Sequence, residues 1–118
     1  MSGGKPVTVA DVIERLGLHA VVRVPDPDLP VTGAQVCDLL SHVMARGRPG
    51  QVWITIQTHA NIIAVAALAK LSAVIIAGGF APEDETTMRA EEEEIALLLS
   101  GESAYTLAGQ LYEMGIRG

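Results

Sequence analysis

The feature that most restricts the fold of this chain is a strand–helix–strand alternation in its middle third. Residues 52–56 form a short apolar run rich in β-branched side chains, residues 58–71 have the length and composition of a helix, and residues 73–77 form a second apolar run. Two strands that are joined through a helix are normally parallel, and the crossover between them is right-handed. The segment therefore predicts an α/β domain built on a parallel sheet.

The flanking segments extend this alternation to about five strands. Apolar runs at residues 18–23, 31–37 and 95–99 have the length of strands, and helical patterns precede or follow them. A chain of 118 residues fits one domain with an adequate core. We therefore expect a single three-layer α/β domain over residues 1–118, with a mostly parallel sheet, flanking helices and a flexible stretch at residues 1–7.

Local signals predict the ends of the first and last helices. Thr8 followed by Asp11 has the spacing of a capping box, and Ser103 is placed to cap the last helix. Gly115 followed by Ile116 predicts a Schellman ending, because glycine readily adopts the left-handed turn and the apolar residue packs back onto the helix.

Composition and charge exclude several classes of function. The chain carries 8 Lys and Arg against 14 Asp and Glu, which gives a formal net charge of -6. Binding to a phosphate backbone requires clustered Lys and Arg, so nucleic acid is not an expected partner. No run of about 18 or more apolar residues predicts a membrane span. Cys37 is the single cysteine and has no partner for an internal disulfide, so we expect a cytoplasmic protein.

The net negative charge of the chain is concentrated in one segment. The segment that begins at Glu83 and ends at Glu94 holds seven acidic residues and one basic residue, whereas the rest of the chain is electrically balanced. Such a charge run is commonly the solvated face of a helix. If a protein partner recognises charge on this molecule, its basic surface is expected to bind here.

Three predicted strand-to-helix junctions are polar or rich in glycine. Because the carboxyl ends of parallel strands meet at one edge of a sheet, we expect these junctions to lie together. Helix N-termini at such an edge can bind a small anion or a nucleotide phosphate. The predicted ligand-binding residues are Asp38, Thr58, His59, Asn61, Gly78 and Gly79.

Each of these residues also has a purely structural interpretation. Asp38 and Thr58 precede predicted helices and can cap them. His59 and Asn61 can satisfy nearby loop carbonyls. The two glycines match no known phosphate-binding pattern and can form a simple turn. Both interpretations are therefore retained.

No pattern of residues predicts a metal site or an active site. His19, His42 and His59 fall on three different segments, without the spacing of zinc ligands. Cys37 could act as a nucleophile with one of these histidines as its base, but a cysteine at a strand end is more often a packing residue. We therefore expect no metal, no cofactor and no enzymatic activity.

The predicted helix that begins at Ala60 and ends at Leu71 is apolar on nearly every side until Lys70. A helix on the surface of a monomer needs one solvated face, so this helix is either covered by its own chain or buried against a second copy. Its alanines permit close approach of another helix. We expect a homodimer formed through this helix, with burial inside one subunit as the alternative.

Two stretches of the sequence resemble a known family. Residues 31–41, VTGAQVCDLLS, and residues 53–66, WITIQTHANIIAVA, together resemble the small DRTGG-domain family, and the likeness extends over most of the chain. The resemblance implies a fold similar to the N-terminal domain of HPr kinase/phosphorylase, without its kinase domain. It also implies a regulatory or assembly module, and it carries no catalytic residues over to this chain. The alternative is a small-ligand sensor that binds a nucleotide or another anion at the junctions.

Overall fold

A computed structural model describes residues 6–118 as a five-stranded sheet flanked by five helices. In chain order the elements are α1 (Val9–Leu16), β1 (His19–Ala20), β2 (Gly33–Val36), α2 (Leu40–Arg46), β3 (Gln51–Thr55), α3 (Asn61–Ala69), β4 (Ala73–Ile76), α4 (Asp84–Glu92), β5 (Leu97–Leu99) and α5 (Ala104–Glu113). The α/β class and the strand number are confirmed. Residues 1–7 are predicted to be flexible, and the first five of them lie outside the described range. Within residues 6–118, no helix is long and apolar enough to cross a membrane.

The strands lie in the order β1-β5-β4-β3-β2. β2, β3, β4 and β5 pair in parallel, as the crossover helices between them require. β1 pairs antiparallel with β5, with His19 opposite Leu99. The sheet is therefore mixed, and the expectation of a mostly parallel sheet is wrong. β1 is not followed by a crossover helix: the predicted strand 18–23 is cut to two residues, and a proline-rich segment, 25–30, leads to β2.

Each face of the sheet carries its own apolar core, so the domain has three layers. β3 shows the alternation: Val52 and Ile54 belong to one core, and Trp53 belongs to the other. Helices α1 and α5 complete the first core, and helices α2, α3 and α4 complete the second.

Helix α3 lies between α2 and α4 and is largely covered by its own chain. Its buried side chains are Ile62, Ile63, Val65 and Ala66. Its outward face is a stripe at positions i, i+3 and i+7, formed by Asn61, Ala64 and Leu68. Burial inside one subunit therefore accounts for most of the apolar surface of α3, and only this stripe is available to a second copy.

The predicted ends of the first and last helices are confirmed. Thr8 and Asp11 form both hydrogen bonds of the capping box at the start of α1. Ser103 caps α5 through its hydroxyl oxygen. After α5, the backbone N–H groups of Gly115 and Ile116 donate to helix carbonyls in the Schellman pattern.

Candidate functional site

The junctions predicted to form the ligand site lie along one edge of the sheet. β2, β3, β4 and β5 are parallel, so the loops that leave their carboxyl ends share this edge, which we call the carboxyl edge. Neighbouring loops are joined by hydrogen bonds: the Ile56 N–H donates to Asp38 Oδ1 at 2.8 Å, and the Gly78 N–H donates to the Glu102 carbonyl at 2.8 Å. The topology thus brings the junctions to a common edge, as the sequence predicts.

Asp38 does not cap α2. The residue before α2 is Leu39, which makes no capping bond through its side chain. Asp38 Oδ1 instead accepts from the Thr55 hydroxyl at 2.8 Å and from the Ile56 N–H. The side-chain amide of Gln57 donates to the Asp38 carbonyl at 3.0 Å. Asp38 therefore fastens the end of β2 to the end of β3, and the capping interpretation is wrong.

Thr58 does not cap α3 either, because α3 begins at Asn61 and follows Ala60. The Thr58 carbonyl accepts from the Thr86 hydroxyl at 2.6 Å and from the Glu83 N–H at 3.2 Å. Thr86 is fully buried in α4. Thr58 therefore contributes through its backbone, by fixing the loop before α3 against the start of α4.

His59 lies at the surface and pairs with the acidic segment. Its Nδ1 atom is 2.7 Å from Glu83 Oε2, and both side chains are more than half exposed. Asn61 is exposed at the first position of α3. An exposed ion pair such as that of His59 with Glu83 contributes little to the free energy of unfolding, about 0–1 kcal/mol. His59 is therefore engaged with a carboxylate, whereas Asn61 presents its side chain to solvent.

Gly78 and Gly79 form the predicted turn, and both have φ of +80°. A side chain disfavours this backbone conformation, so glycine is required here. The Gly78 N–H donates to Glu102, and the Gly79 N–H donates to the Ser100 carbonyl at 2.9 Å. Both amides are thus used within the protein and are not directed at an anion.

Exposed apolar side chains are a feature of this edge that the sequence pattern did not single out. They follow or end three of the parallel strands: Val36, Leu39, Ile56 and Phe80. The Phe80 ring lies beside Gly78, where an added Cβ would come within 3.1 Å of it. One sequence signal could have predicted an exposed aromatic side chain here: Phe80 directly follows a pair of glycines at the end of a strand. The edge is therefore partly apolar as well as polar.

A cavity of about 290 Å³ opens at this edge on the side of β5 and β1. It is lined by Gly17, His19, Gly79, Phe80, Ala81, Leu99, Ser100 and Gly101. Of the predicted ligand-binding residues, only Gly79 lines it. The other five lie along the edge outside this cavity.

The charges along the edge are mainly acidic. Asp38, Glu83 and Glu102 lie in its loops, and His59 is paired with one of them. Among residues 6–118, no group of three or more His, Cys, Asp or Glu side chains is arranged to hold a metal ion. The edge suits a ligand that offers apolar contact better than it suits a free anion.

Cys37 packs beneath this edge. Its Sγ accepts from the Leu39 N–H at 3.4 Å, and its carbonyl accepts from the Trp53 indole N–H at 2.7 Å. Cys37 also contacts the core that contains Trp53. These contacts support the packing interpretation of this cysteine.

Comparison with known proteins gives a family and a fold. The family model described as the DRTGG domain matches residues 31–114. No curated protein sequence matches the chain significantly. A similar solved structure is that of the CBS and DRTGG domains of the regulatory region of Clostridium perfringens pyrophosphatase, complexed with its activator, diadenosine tetraphosphate. The TM-score is 0.72 at 17% identity, over 89% of this chain and 46% of that chain, so this chain spans about half the length of the matched structure.

Proposed function

Because the chain belongs to the DRTGG domain family, we propose that it is a non-catalytic regulatory or assembly module of the cytoplasm that works as a homodimer. The observation that supports this function is that polar side chains at the carboxyl edge form hydrogen bonds within the protein. Asp38, Thr55 and Gln57 bond to one another and to backbone, while apolar side chains such as Phe80 are exposed. An edge built in this way favours binding over catalysis.

The surface proposed for the homodimer is the outer face of the helices α2, α3 and α4. One large apolar side chain projects from each helix: Met44 from α2, Leu68 from α3 and Met88 from α4. Leu68 is 70% exposed and lies on the central helix. Burying such side chains against a second copy removes apolar surface from water. The favourable free energy is roughly 25 cal/mol per Å² of buried apolar surface, before the costs of association.

The order of the helices suggests how two copies pair. In a dimer with its two-fold axis along α3, Leu68 faces the same residue of the second copy, and α2 lies over the partner's α4. Met44 then lies near the partner's Met88. α2 contains no acidic residue, whereas α4 carries most of the acidic segment. The partner's α2 therefore brings no like charge against the acidic segment.

Light scattering during size exclusion tests the dimer. We expect a mass of about 25 kDa, twice the 12.4 kDa of one chain. Leu68→Lys places a charge at the proposed centre and should give a monomer. Tyr105→Lys is the matched control, because Tyr105 is 91% exposed on α5, in the other helical layer. A wild-type monomer at tens of micromolar, or equal effects of both variants, would contradict the proposal.

The second candidate function is a small-ligand sensor at the carboxyl edge. The cavity lined by Gly79, Phe80 and His19 favours it, because an exposed aromatic ring beside a glycine turn can stack on a planar ligand. The surrounding acids make the base of a nucleotide a better fit here than its phosphates. The activator bound by the clostridial regulatory region is also a nucleotide.

Thermal shift with a panel of nucleosides and nucleotides tests the sensor. A ligand at 100 times its dissociation constant stabilises the folded state by about 2.7 kcal/mol. Phe80→Ala should abolish the shift if the ligand occupies the cavity, and Asn61→Ala should abolish it if the ligand occupies the loop before α3. The absence of a shift with every compound would count against the sensor.

A further inference from the structure

A second cleft lies beside the edge strand β2, apart from the carboxyl edge. Its volume is about 330 Å³, and it is lined by Gln35, His42, Arg46, Arg48, Gln51 and Gly118. This volume is within the usual range for small-molecule sites, roughly 300–1,000 Å³. The cleft is formed by β2, α2, the turn that follows α2 and the first residue of β3.

The charged side chains of this cleft are basic, although the protein as a whole is acidic. Two of the eight Lys and Arg residues of the chain line it, together with a histidine, and no acidic side chain does. The ion pairs found within residues 6–118 involve His59 and Arg89. Arg46 and Arg48 therefore have no carboxylate partner in the described part of the chain.

The turn that carries the two arginines is held in place by a pair of glutamines. The Gln35 amide donates to the Arg46 carbonyl at 3.1 Å and to Gln51 Oε1 at 3.3 Å. Gln51 Oε1 also accepts from the Arg48 N–H at 2.8 Å. Between the arginines, an added Cβ on Gly47 would lie 2.7 Å from the Val43 carbonyl oxygen, so only glycine fits. Both arginine side chains therefore extend from a fixed backbone.

Gln51 adds an unused donor to the cleft. The residue is only 6% exposed, and its Oε1 atom already accepts two hydrogen bonds. Its Nε2 atom donates to no group within residues 6–118. Gln51 lines the cleft, and its Nε2 atom lies beside Gly33.

We propose that this cleft binds the phosphate chain of a small phosphorylated ligand. Two guanidinium groups and an amide N–H match an anion with several oxygen acceptors and more than one negative charge, and guanidinium is well suited to phosphate oxygens. A pre-positioned turn lowers the ordering cost of binding. This cleft is separate from the carboxyl edge, and it shares helix α2 with the proposed dimer surface.

Isothermal titration with two probes tests the proposal, using the full chain at low ionic strength and adenosine as the control that lacks phosphate. Inorganic tripolyphosphate contains the phosphate chain alone, and ATP contains it with a nucleoside. The test variant is Arg46→Gln with Arg48→Gln. Its matched control is Arg23→Gln with Arg89→Gln, which removes the same charge from other parts of the surface. Circular dichroism and urea midpoints show whether each variant folds.

The proposal predicts that at least one probe binds and that the test variant lowers its affinity by about ten-fold or more. A ten-fold loss of affinity corresponds to about 1.4 kcal/mol, which is about the contribution of one charged hydrogen bond. The control should remain within about two-fold of wild type. If tripolyphosphate and ATP bind with equal affinity, the cleft recognises the phosphate chain alone. If ATP binds more tightly, the cleft also contacts the nucleoside.

Amide chemical shifts locate the bound probe. Changes centred on Arg48 and Gln51 support the proposal. Changes centred on Gly78 and Gly79 overturn it and support the carboxyl-edge sensor instead. No binding of either probe at millimolar concentration, adenosine binding as tightly as ATP, or equal losses in both double variants would also overturn it.

Discussion

Asp38 provides the most exacting test of how the carboxyl edge is held together. Its Oδ1 atom accepts hydrogen bonds from the Thr55 hydroxyl and the Ile56 N–H, each at 2.8 Å. Thr55 is 1% exposed in the intact chain, and Asp38 is the acceptor for its hydroxyl. Leaving a buried donor unsatisfied costs about 1–3 kcal/mol, whereas an exposed amide such as that of Ile56 can bond to water instead. We therefore expect Asp38→Ala to lower the free energy of unfolding by about 2 kcal/mol.

The same bonds predict a graded series of variants. Asp38→Asn keeps an oxygen acceptor but loses the charge, so it should lower the unfolding free energy by about 1 kcal/mol. Asp28→Ala is the control for the loss of one negative charge, since Asp28 lies in the proline-rich loop and its side chain makes no hydrogen bond within residues 6–118. A surface change of this kind should stay within about 0.5 kcal/mol of wild type.

Urea denaturation followed by Trp53 fluorescence measures the series. Trp53 is the only tryptophan, is fully buried, and bonds to the carbonyl of Cys37, next to Asp38. Its emission therefore reports both global unfolding and the local packing of this junction. If Asp38→Ala is no more destabilising than Asp28→Ala, the hydrogen bonds do not hold the edge together, and the reasoning from buried donors is refuted.

Three further predictions concern turns and helix ends, and the same denaturation assay checks each. Gly78→Ala should destabilise the fold more than Gly79→Ala. Both variants place a Cβ at positive φ, which costs about 1–2 kcal/mol, but only the first displaces Phe80. Equal effects of the two variants would contradict the contact with Phe80. Ser103→Ala should cost about 1 kcal/mol by removing the cap of α5, and an unchanged midpoint would contradict it. Leu39→Ser should stabilise the fold by about 0.5–1 kcal/mol, because the backbone before α2 is already extended and lacks a capping side chain; a loss of stability would show that Leu39 packs usefully.

Features that depend on neighbouring residues were predictable from the sequence. The capping box at Thr8, the cap at Ser103 and the glycine-led ending at Gly115 all involve residues within a few positions of one another. The parallel order of the central strands follows from their crossover helices. These features are sufficient to predict that the junctions lie at one edge of the sheet.

Features that depend on distant residues were not predictable. Asp38 reaches Thr55, 17 positions away, and the Thr58 carbonyl is bonded by Thr86, 28 positions away. A local pattern cannot distinguish these contacts from caps, because the same short polar side chain serves both purposes. The antiparallel pairing of His19 with Leu99 joins segments 80 positions apart. The basic cleft was not predictable for the same reason, since β2, α2 and β3 each supply part of it.

The central claim, that the chain is a regulatory module that pairs through the outer face of α3, is tested most directly by disulfide cross-linking. Leu68→Cys is made in a Cys37→Ser background, so that the new thiol is the only one. With the two-fold axis along α3, the two thiols face each other, and mild oxidation should give a covalent dimer rapidly. Tyr105→Cys in the same background, with its thiol on the other helical layer, should stay monomeric. Failure of the first variant to cross-link, or equally rapid cross-linking of the second, would contradict the proposed dimer.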